Sequence, residues 1–140
     1  MFYVKKSITF YEKPGCAGNK KQKELLMANG IEFEVKSMLS TNWDTTTLNS
    51  FFEGLEKNQI INQFAPQVKS GEINIEKYSK DELVELMIKE PILIKRPLIQ
   101  VDDTKICGFD IPKLNSALNQ ELDTKKEIGT CQSSDSCTSV

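Results

Sequence analysis

The sequence predicts a single α/β domain, built as a small mixed sheet covered by helices. Three observations support this fold class. The chain opens with a strand-turn-helix-strand pattern, continues through segments with apolar residues at helical spacing, and closes with a hairpin and a helix. A chain of 140 residues can form one domain whose core needs neither disulfides nor metal. We place this domain at residues 1–122 and a polar C-terminal tail at residues 123–140.

A β-α-β unit is predicted at the start of the chain. Residues 8–11 form a short β-prone run that ends just before Pro14-Gly15. Residues 17–29 suit an amphipathic helix, and Gly30 is the expected C-terminal stop. Residues 31–35 alternate apolar and acidic side chains, which predicts a half-buried strand whose apolar residues Ile31, Phe33 and Val35 point inward. Such a unit favours a parallel strand pair joined by a right-handed crossover.

The middle of the chain is predicted to be helical. Apolar spacing indicates helices over residues 45–52 and 57–64, the second ended by Pro66. Residues 67–78 are predicted to form a loop or a short turn structure around Gly71. The run Ser79-Lys80-Asp81-Glu82 has the pattern of a capping box, so a helix should begin there and stop at Pro91. This helical segment lies between the two strand-containing parts of the domain.

A hairpin and one more helix are predicted to complete the domain. Residues 98–101 and 105–107 form two strands across a tight turn. Asp110 can cap the last helix, whose Leu114, Leu118 and Leu122 fall on one face. From residue 123 onward the chain is polar and of low complexity, so we expect that tail to be disordered.

The composition excludes several classes of function. A net charge of −2 and a pI near 5.3 provide no basic surface for nucleic acid. No apolar run approaches the length of a membrane span, and the N-terminal residues lack the pattern of a secretory signal. We therefore expect a cytoplasmic protein that binds neither nucleic acid nor membranes.

Histidine is absent, and this absence limits the chemistry further. Without it the chain has no Cys-His or Ser-His-Asp catalysis and no histidine-ligated metal. The four cysteines are Cys16, Cys107, Cys131 and Cys137, and no two of them form a C-x-x-C pair. We expect no metal site and no bound cofactor, and any chemistry should be thiol chemistry.

Cys16 is the candidate nucleophile because it lies between a predicted strand and the first turn of a helix. Unpaired N–H groups and the helix dipole at that position favour a thiolate, and Lys13 and Lys20 add positive charge. Gly15 and Gly18 let the loop curl so that several amides face one point. The alternative interpretation is a small residue packed under the helix start, but the flanking glycines favour an exposed thiol.

Three motifs carry a resemblance to a known family. They are FYEKPGC at residues 10–16, VKSGEI at residues 68–73 and RPLIQV at residues 96–101. Together they resemble the arsenate reductase/Spx family of thioredoxin-fold proteins, and in particular its nitrogenase-associated branch. The resemblance covers about residues 7–120, so it implies a thioredoxin-like fold for the whole predicted domain.

The resemblance implies roles for five residues. Cys16 matches the catalytic cysteine, which in arsenate reductases attacks arsenate and is then reduced by glutathione and glutaredoxin. Gly18, Lys20 and Arg96 fall where the family binds an oxyanion or a thiol partner. Pro97 matches a proline beside the active cysteine, a proline that usually follows a cis peptide bond.

The chain also departs from the family pattern. Glu12 replaces a histidine four residues before the cysteine, and Lys20 replaces an arginine four residues after it. Two further arginine positions fall near Gln63 and at Gly108, and the second cysteine of the Spx type is Asn19. Arginine binds oxyanions through two hydrogen bonds, and losing one oxyanion donor typically costs about 10²–10³ in rate. These departures argue against efficient arsenate reduction.

Three hypotheses of function follow. The first is a thiol-dependent oxidoreductase or redox adaptor that acts through Cys16, with glutathione or glutaredoxin as its partner. The second is a non-catalytic interaction or regulatory protein that serves nitrogenase or its assembly proteins. The third is a glutaredoxin-dependent arsenate reductase. Among the remaining thiols, Cys107 is expected to be a buried apolar filler, and Cys131 and Cys137 are either inert or a resolving partner for Cys16.

Overall fold

A four-stranded mixed sheet forms the centre of the molecule, in the order β2-β1-β3-β4. The structure is a computed structural model that describes residues 7–124. Strands β1 (Ile8–Glu12) and β3 (Leu98–Val101) are central, and β2 (Glu34–Ser37) and β4 (Thr104–Cys107) form the edges. β1 runs parallel to β2 and antiparallel to β3, and β3 runs antiparallel to β4. The predicted α/β fold class with a mixed sheet is confirmed.

Six α-helices and two short 3₁₀ turns are found in residues 7–124. The predicted crossover helix, the capping box and the final helix are all present. The helices are α1 (Ala17–Ala28), α2 (Thr45–Phe52), α3 (Lys57–Ile60), α4 (Pro66–Lys69), α5 (Lys80–Lys89) and α6 (Ile111–Leu118), with 3₁₀ turns at Ile75–Lys77 and Pro91–Leu93.

The local capping signals in the sequence were reliable. Ser79 accepts from the Glu82 N–H at 3.1 Å, and the Glu82 carboxylate accepts from the Ser79 N–H at 2.8 Å, which completes the capping box of α5. Asp110 accepts from the Lys113 N–H at 3.1 Å and begins α6. Helix α6 ends at Leu118, so Leu122 is buried beyond the helix rather than on its face.

The prediction for residues 57–78 was wrong in two respects. The predicted helix over 57–64 is a single turn, because Ile61 leaves it to form an isolated antiparallel bridge with Ile94. Pro66 opens α4 instead of ending the helix before it, and residues 67–78 contain the rest of that single turn and one 3₁₀ turn. Proline suits the first helical position because its fixed φ and missing N–H cost nothing there.

The predicted bounds of β2 and the burial of Val35 were also wrong. The strand covers Glu34–Ser37 instead of residues 31–35, and the Val35 side chain is 42% exposed. Ile31 and Phe33 do pack against buried residues. Val35 is paired with the buried Phe10 and therefore lies on the same face of the sheet, but on an edge strand where no element of residues 7–124 buries it.

Two hydrophobic clusters sandwich the sheet. The cluster on one face contains Phe10, Ile99, Leu26 of α1 and Leu114 of α6. The cluster on the other face contains Leu98 together with residues of α2 and α5 and the Trp43 side chain. The indole of Trp43 donates to the Met38 carbonyl at 2.8 Å and lies 4.9 Å, centroid to centroid, from the Tyr11 ring. The period-two alternation along β1 and β3 divides their side chains between the two clusters.

The end of the described chain is tied to α1. The Asp123 N–H donates to the Asn29 side-chain oxygen at 2.7 Å. The tail was predicted at residues 123–140. Its part after residue 124, which includes Cys131 and Cys137, lies outside the described residues. Among residues 7–124, no helix is long and apolar enough to cross a membrane.

Candidate functional site

Cys16 is the N-cap residue of α1. The chain leaves β1 at Glu12 and turns through Gly15, whose φ of +85° is a left-handed conformation that favours glycine. The Cys16 N–H donates to the Lys13 carbonyl at 3.1 Å, which closes the turn. The Cys16 sulfur accepts the Asn19 N–H at 3.4 Å. The strand-turn-helix sequence therefore places the thiol at the positive end of a helix, as the pattern predicted.

This position stabilises negative charge on sulfur. One amide N–H points at Sγ, and the N-terminal turn of α1 adds the positive end of the helix dipole. The prediction of an exposed thiol was wrong, because Cys16 is only 3% exposed. The loop therefore covers the thiol almost completely.

Asn19 fixes the loop that carries Cys16. Its side-chain oxygen accepts the Lys13 N–H at 2.9 Å, and its side-chain nitrogen donates to Gln22 Oε1 at 3.0 Å. Asn19 is 1% exposed, so these bonds satisfy an amide that burial would otherwise leave unpaired. In the sequence, Asn19 stands where the Spx type has its second cysteine, and that comparison does not predict its role in the loop. The sequence signal that could have identified Asn19 is its position, a polar residue in the first turn of the helix and three residues after the cap.

A cleft of about 170 Å³ adjoins the loop, with Asn19 in its wall. Amide side chains, two cations and two apolar side chains form its walls, and none of the lining residues is acidic. The lining residues are Asn19, Gln22, Ile61, Asn62, Gln63, Phe64, Lys95 and Arg96.

The segment before β3 forms the other side of the site. The Arg96–Pro97 peptide bond is cis, and the Pro97 carbonyl accepts the Gly108 N–H at 2.8 Å. Tyr11 of β1 is paired with Leu98 of β3. The segments that follow Tyr11 and precede Leu98 therefore leave the sheet at the same end, which brings the Cys16 loop and the Arg96–Pro97 segment together.

The structure separates Lys20 from this site. Its side chain is exposed and lines a second groove with Met27 and Val35, on the side of α1 that faces β2. Gly18 is buried within the first turn of α1. Of the residues predicted to bind an oxyanion or thiol partner, Arg96 lines the cleft and Lys20 does not.

Glu12 does not present an isolated negative charge at the site. Its carboxylate forms an ion pair with Lys23 of α1. Of the positions where the resemblance implies arginine, Gln63 lines the cleft, and the Gly108 N–H is bonded to the Pro97 carbonyl. Neither residue can supply a guanidinium group.

Cys107 has a different environment from Cys16. It is half-buried on β4, and its thiol lies 3.8 Å from the Gln59 carbonyl, to which it donates. Burial raises the pKa of this thiol to about 12, and the nearby Lys95 and Lys113 only partly oppose that rise. No group of three or more His, Cys, Asp or Glu within residues 7–124 is arranged to hold a metal ion.

Comparison with known proteins gives consistent matches over most of the chain. The ArsC family model matches residues 11–117. A Rhodospirillum rubrum protein, described as an uncharacterized 15.7 kDa protein in the draG 3′ region, is 39% identical over 90% of this chain and 88% of its own. The regulatory protein MgsR of Bacillus subtilis is 29% identical over 76% of this chain and 86% of its own.

Solved structures show the same fold. An arsenate reductase from Vibrio cholerae superposes with a TM-score of 0.66 at 23% identity, covering 83% of this chain and 98% of that protein. An arsenate reductase-related protein from Brucella melitensis gives a TM-score of 0.61 at 21% identity, covering 82% of this chain and 97% of that protein. The predicted thioredoxin-like fold is thereby confirmed.

The two described thiols should differ in their alkylation. With a pKa of about 12, roughly one Cys107 thiol in 10⁴ is ionised at pH 8. Burial disfavours the thiolate at Cys16 as well, but there an amide N–H and a helix N-terminus oppose it, so iodoacetamide should label Cys16 at lower pH than Cys107. Mass-spectrometric peptide mapping across pH 6–10 measures both, with Cys16→Ser and Cys107→Ser as matched controls. Equal or faster labelling of Cys107 in the folded protein contradicts this assignment.

Proposed function

The chain belongs to the ArsC family, and we propose that it is a thiol-dependent redox protein that acts through Cys16, with glutathione or glutaredoxin as reductant. The observation that carries the proposal is the Cys16 sulfur at the N-terminus of α1, accepting the Asn19 N–H at 3.4 Å beside the cleft. The proposed compartment is the cytoplasm, where glutathione keeps thiols reduced.

The chemistry proposed is thiol–disulfide exchange. The Cys16 thiolate attacks one sulfur of a disulfide, forms a mixed disulfide and releases the other sulfur as a thiolate, which takes up a proton from water. A glutathione thiolate then attacks the mixed disulfide, forms a new disulfide with the departing group and restores the Cys16 thiolate. The Asn19 N–H stabilises the negative charge each time it returns to Cys16.

The cleft favours a peptide-like thiol over a compact oxyanion. Carboxamide side chains both donate and accept, so Gln22 and Gln63 can bond the N–H and C=O groups of a peptide. Lys95 and Arg96 supply the positive charge that a carboxylate of glutathione would need. A tetrahedral oxyanion needs only hydrogen-bond donors. In this cleft it would meet the single guanidinium group of Arg96 instead of several.

Burial of Cys16 favours one alternative. A thiol that is 3% exposed also suits an interaction or regulatory protein that keeps the fold and performs no turnover. We include in this proposal that the chain belongs to the nitrogenase-associated branch and serves nitrogenase or its assembly proteins. The support is the resemblance of residues 10–16, 68–73 and 96–101, together with the 39% identical relative.

Exposure to oxidised glutathione should produce a single mixed disulfide on Cys16. Peptide mapping should show glutathione on Cys16 in the wild type and in Cys107→Ser, none on Cys107, and its loss at that position in Cys16→Ser. Glutaredoxin with reduced glutathione should remove the adduct. A folded wild-type protein that takes no adduct at Cys16 supports the non-catalytic alternative and contradicts the redox proposal.

Arsenate should be a poor substrate. With Lys20 turned away from the cleft and Gln63 and Gly108 at the other arginine positions, we expect turnover at least about 10² below that of an arsenate reductase. A coupled assay with glutathione, glutaredoxin and NADPH oxidation measures it, with Cys16→Ser as the background. Turnover comparable to an authentic arsenate reductase contradicts this expectation.

A genetic test separates the nitrogenase role from the chemistry. In a nitrogen-fixing host that lacks the chromosomal gene, acetylene reduction should fall and should recover with the wild-type chain. Recovery with Cys107→Ser but not with Cys16→Ser indicates that the role depends on the thiol. Unchanged acetylene reduction in the deletion strain contradicts a role in nitrogen fixation.

A further inference from the structure

We propose that two copies of this chain associate through strand β2, pairing antiparallel about a twofold axis at Val35. Strand β2 is an edge of the sheet, and within residues 7–124 it pairs only with β1. An edge strand presents a row of backbone groups that can pair with another chain. Its backbone direction, its charges and its exposed apolar side chains each favour a second copy as the occupant.

The backbone groups of Val35 point away from the sheet. Just beyond the strand, the Met38 N–H donates to the Glu12 carbonyl at 2.8 Å, toward β1. The Ser37 carbonyl instead accepts from the Ser40 N–H and the Thr41 hydroxyl, away from β1. Backbone groups alternate in direction along a strand, so Val35 points outward as Ser37 does. Val35 can thus exchange both of its backbone hydrogen bonds with Val35 of a second copy.

The charges on β2 are self-complementary in this register. With the axis at Val35, Glu34 of each copy lies directly opposite Lys36 of the other, which makes two opposite-charge pairs. Both residues occupy non-hydrogen-bonded positions, where facing side chains are closest. Moving the axis to Glu34 or to Lys36 instead brings two like charges face to face. Sliding one strand by a single residue against the other fails as well. A residue whose backbone N–H and C=O groups point outward would then lie opposite one whose groups point toward β1.

Exposed apolar side chains concentrate at the same edge. Met27 of α1 is 58% exposed, Val35 is 42% exposed, and Leu39, two residues after β2, is 41% exposed. Met27 and Val35 line an open groove of about 510 Å³ that also contains Ile31 and Phe33. Antiparallel pairing places the two Val35 side chains against each other on the groove face, so the apolar surface of one copy continues into that of the other.

The twofold arrangement limits the assembly to a dimer. Each copy uses the same strand, so the interface is isologous and leaves no further β2 edge available. The result is an eight-stranded sheet with β4 at both ends. The site at Cys16 does not take part in the pairing, so this proposal is independent of the proposed function.

Charge reversal tests the register directly. Glu34 and Lys36 are both exposed, so Glu34→Lys and Lys36→Glu should fold as the wild type does, which circular dichroism verifies. Each single variant brings like charges together twice per dimer, and its dimer dissociation constant should rise about tenfold or more. An equimolar mixture should form a heterodimer, because E34K presents two lysines opposite the two glutamates of K36E. The double variant E34K/K36E should dimerise like the wild type.

Sedimentation velocity of the full chain under reducing conditions measures these states across 1 μM to 1 mM and excludes disulfide-linked dimers. The expected results are a wild-type dimer, weakened single variants, and recovery in both the mixture and the double variant. A wild type that stays monomeric at 1 mM overturns the proposal. A wild-type dimer that neither single variant weakens, or a mixture that fails to recover, places the interface elsewhere and overturns it as well.

Discussion

The hydrogen bond from the Lys13 N–H to the Asn19 side chain is the constraint on which the site depends. It joins the loop after β1 to the first turn of α1, so the strand and the helix position the thiol together. The same residue supplies the backbone N–H that reaches the Cys16 sulfur. Without this contact a Pro-Gly turn would let the thiol move relative to the helix.

The parts of the fold that could be predicted are those specified by local chemistry. Ser79 with Glu82 and Asp110 act on residues three positions away, so their helices could be located from the sequence alone. Pro66 was misinterpreted because proline suits a helix start as well as a helix end. The exposure of Val35 depends on which elements cover the sheet edge, and no local pattern contains that information.

The position of Cys16 at the start of α1 was predicted, but the surroundings of its thiol were not. Cys16 was identified from its place between a predicted strand and a predicted helix. Arg96 was assigned to the site because of the family resemblance. The orientation of Lys20 could not be predicted, because one residue along α1 turns a side chain about 100° away from the face that Asn19 occupies. Gln22, Asn62 and Lys95 were missed, since amides and a lone lysine give no recognisable spacing until the fold brings them to one cleft.

Strand β3 belongs to both hydrophobic clusters, and this has a consequence for how the sequence can vary. Leu98 is buried on one face of the sheet, and Ile99 and Val101 are buried on the other. A change of side-chain volume in a helix disturbs one layer, whereas two neighbouring changes in β3 disturb both layers at once. The four residues after Pro97 therefore leave the least freedom for drift over evolutionary time, and α3 and α4, whose residues contribute few buried side chains, leave the most.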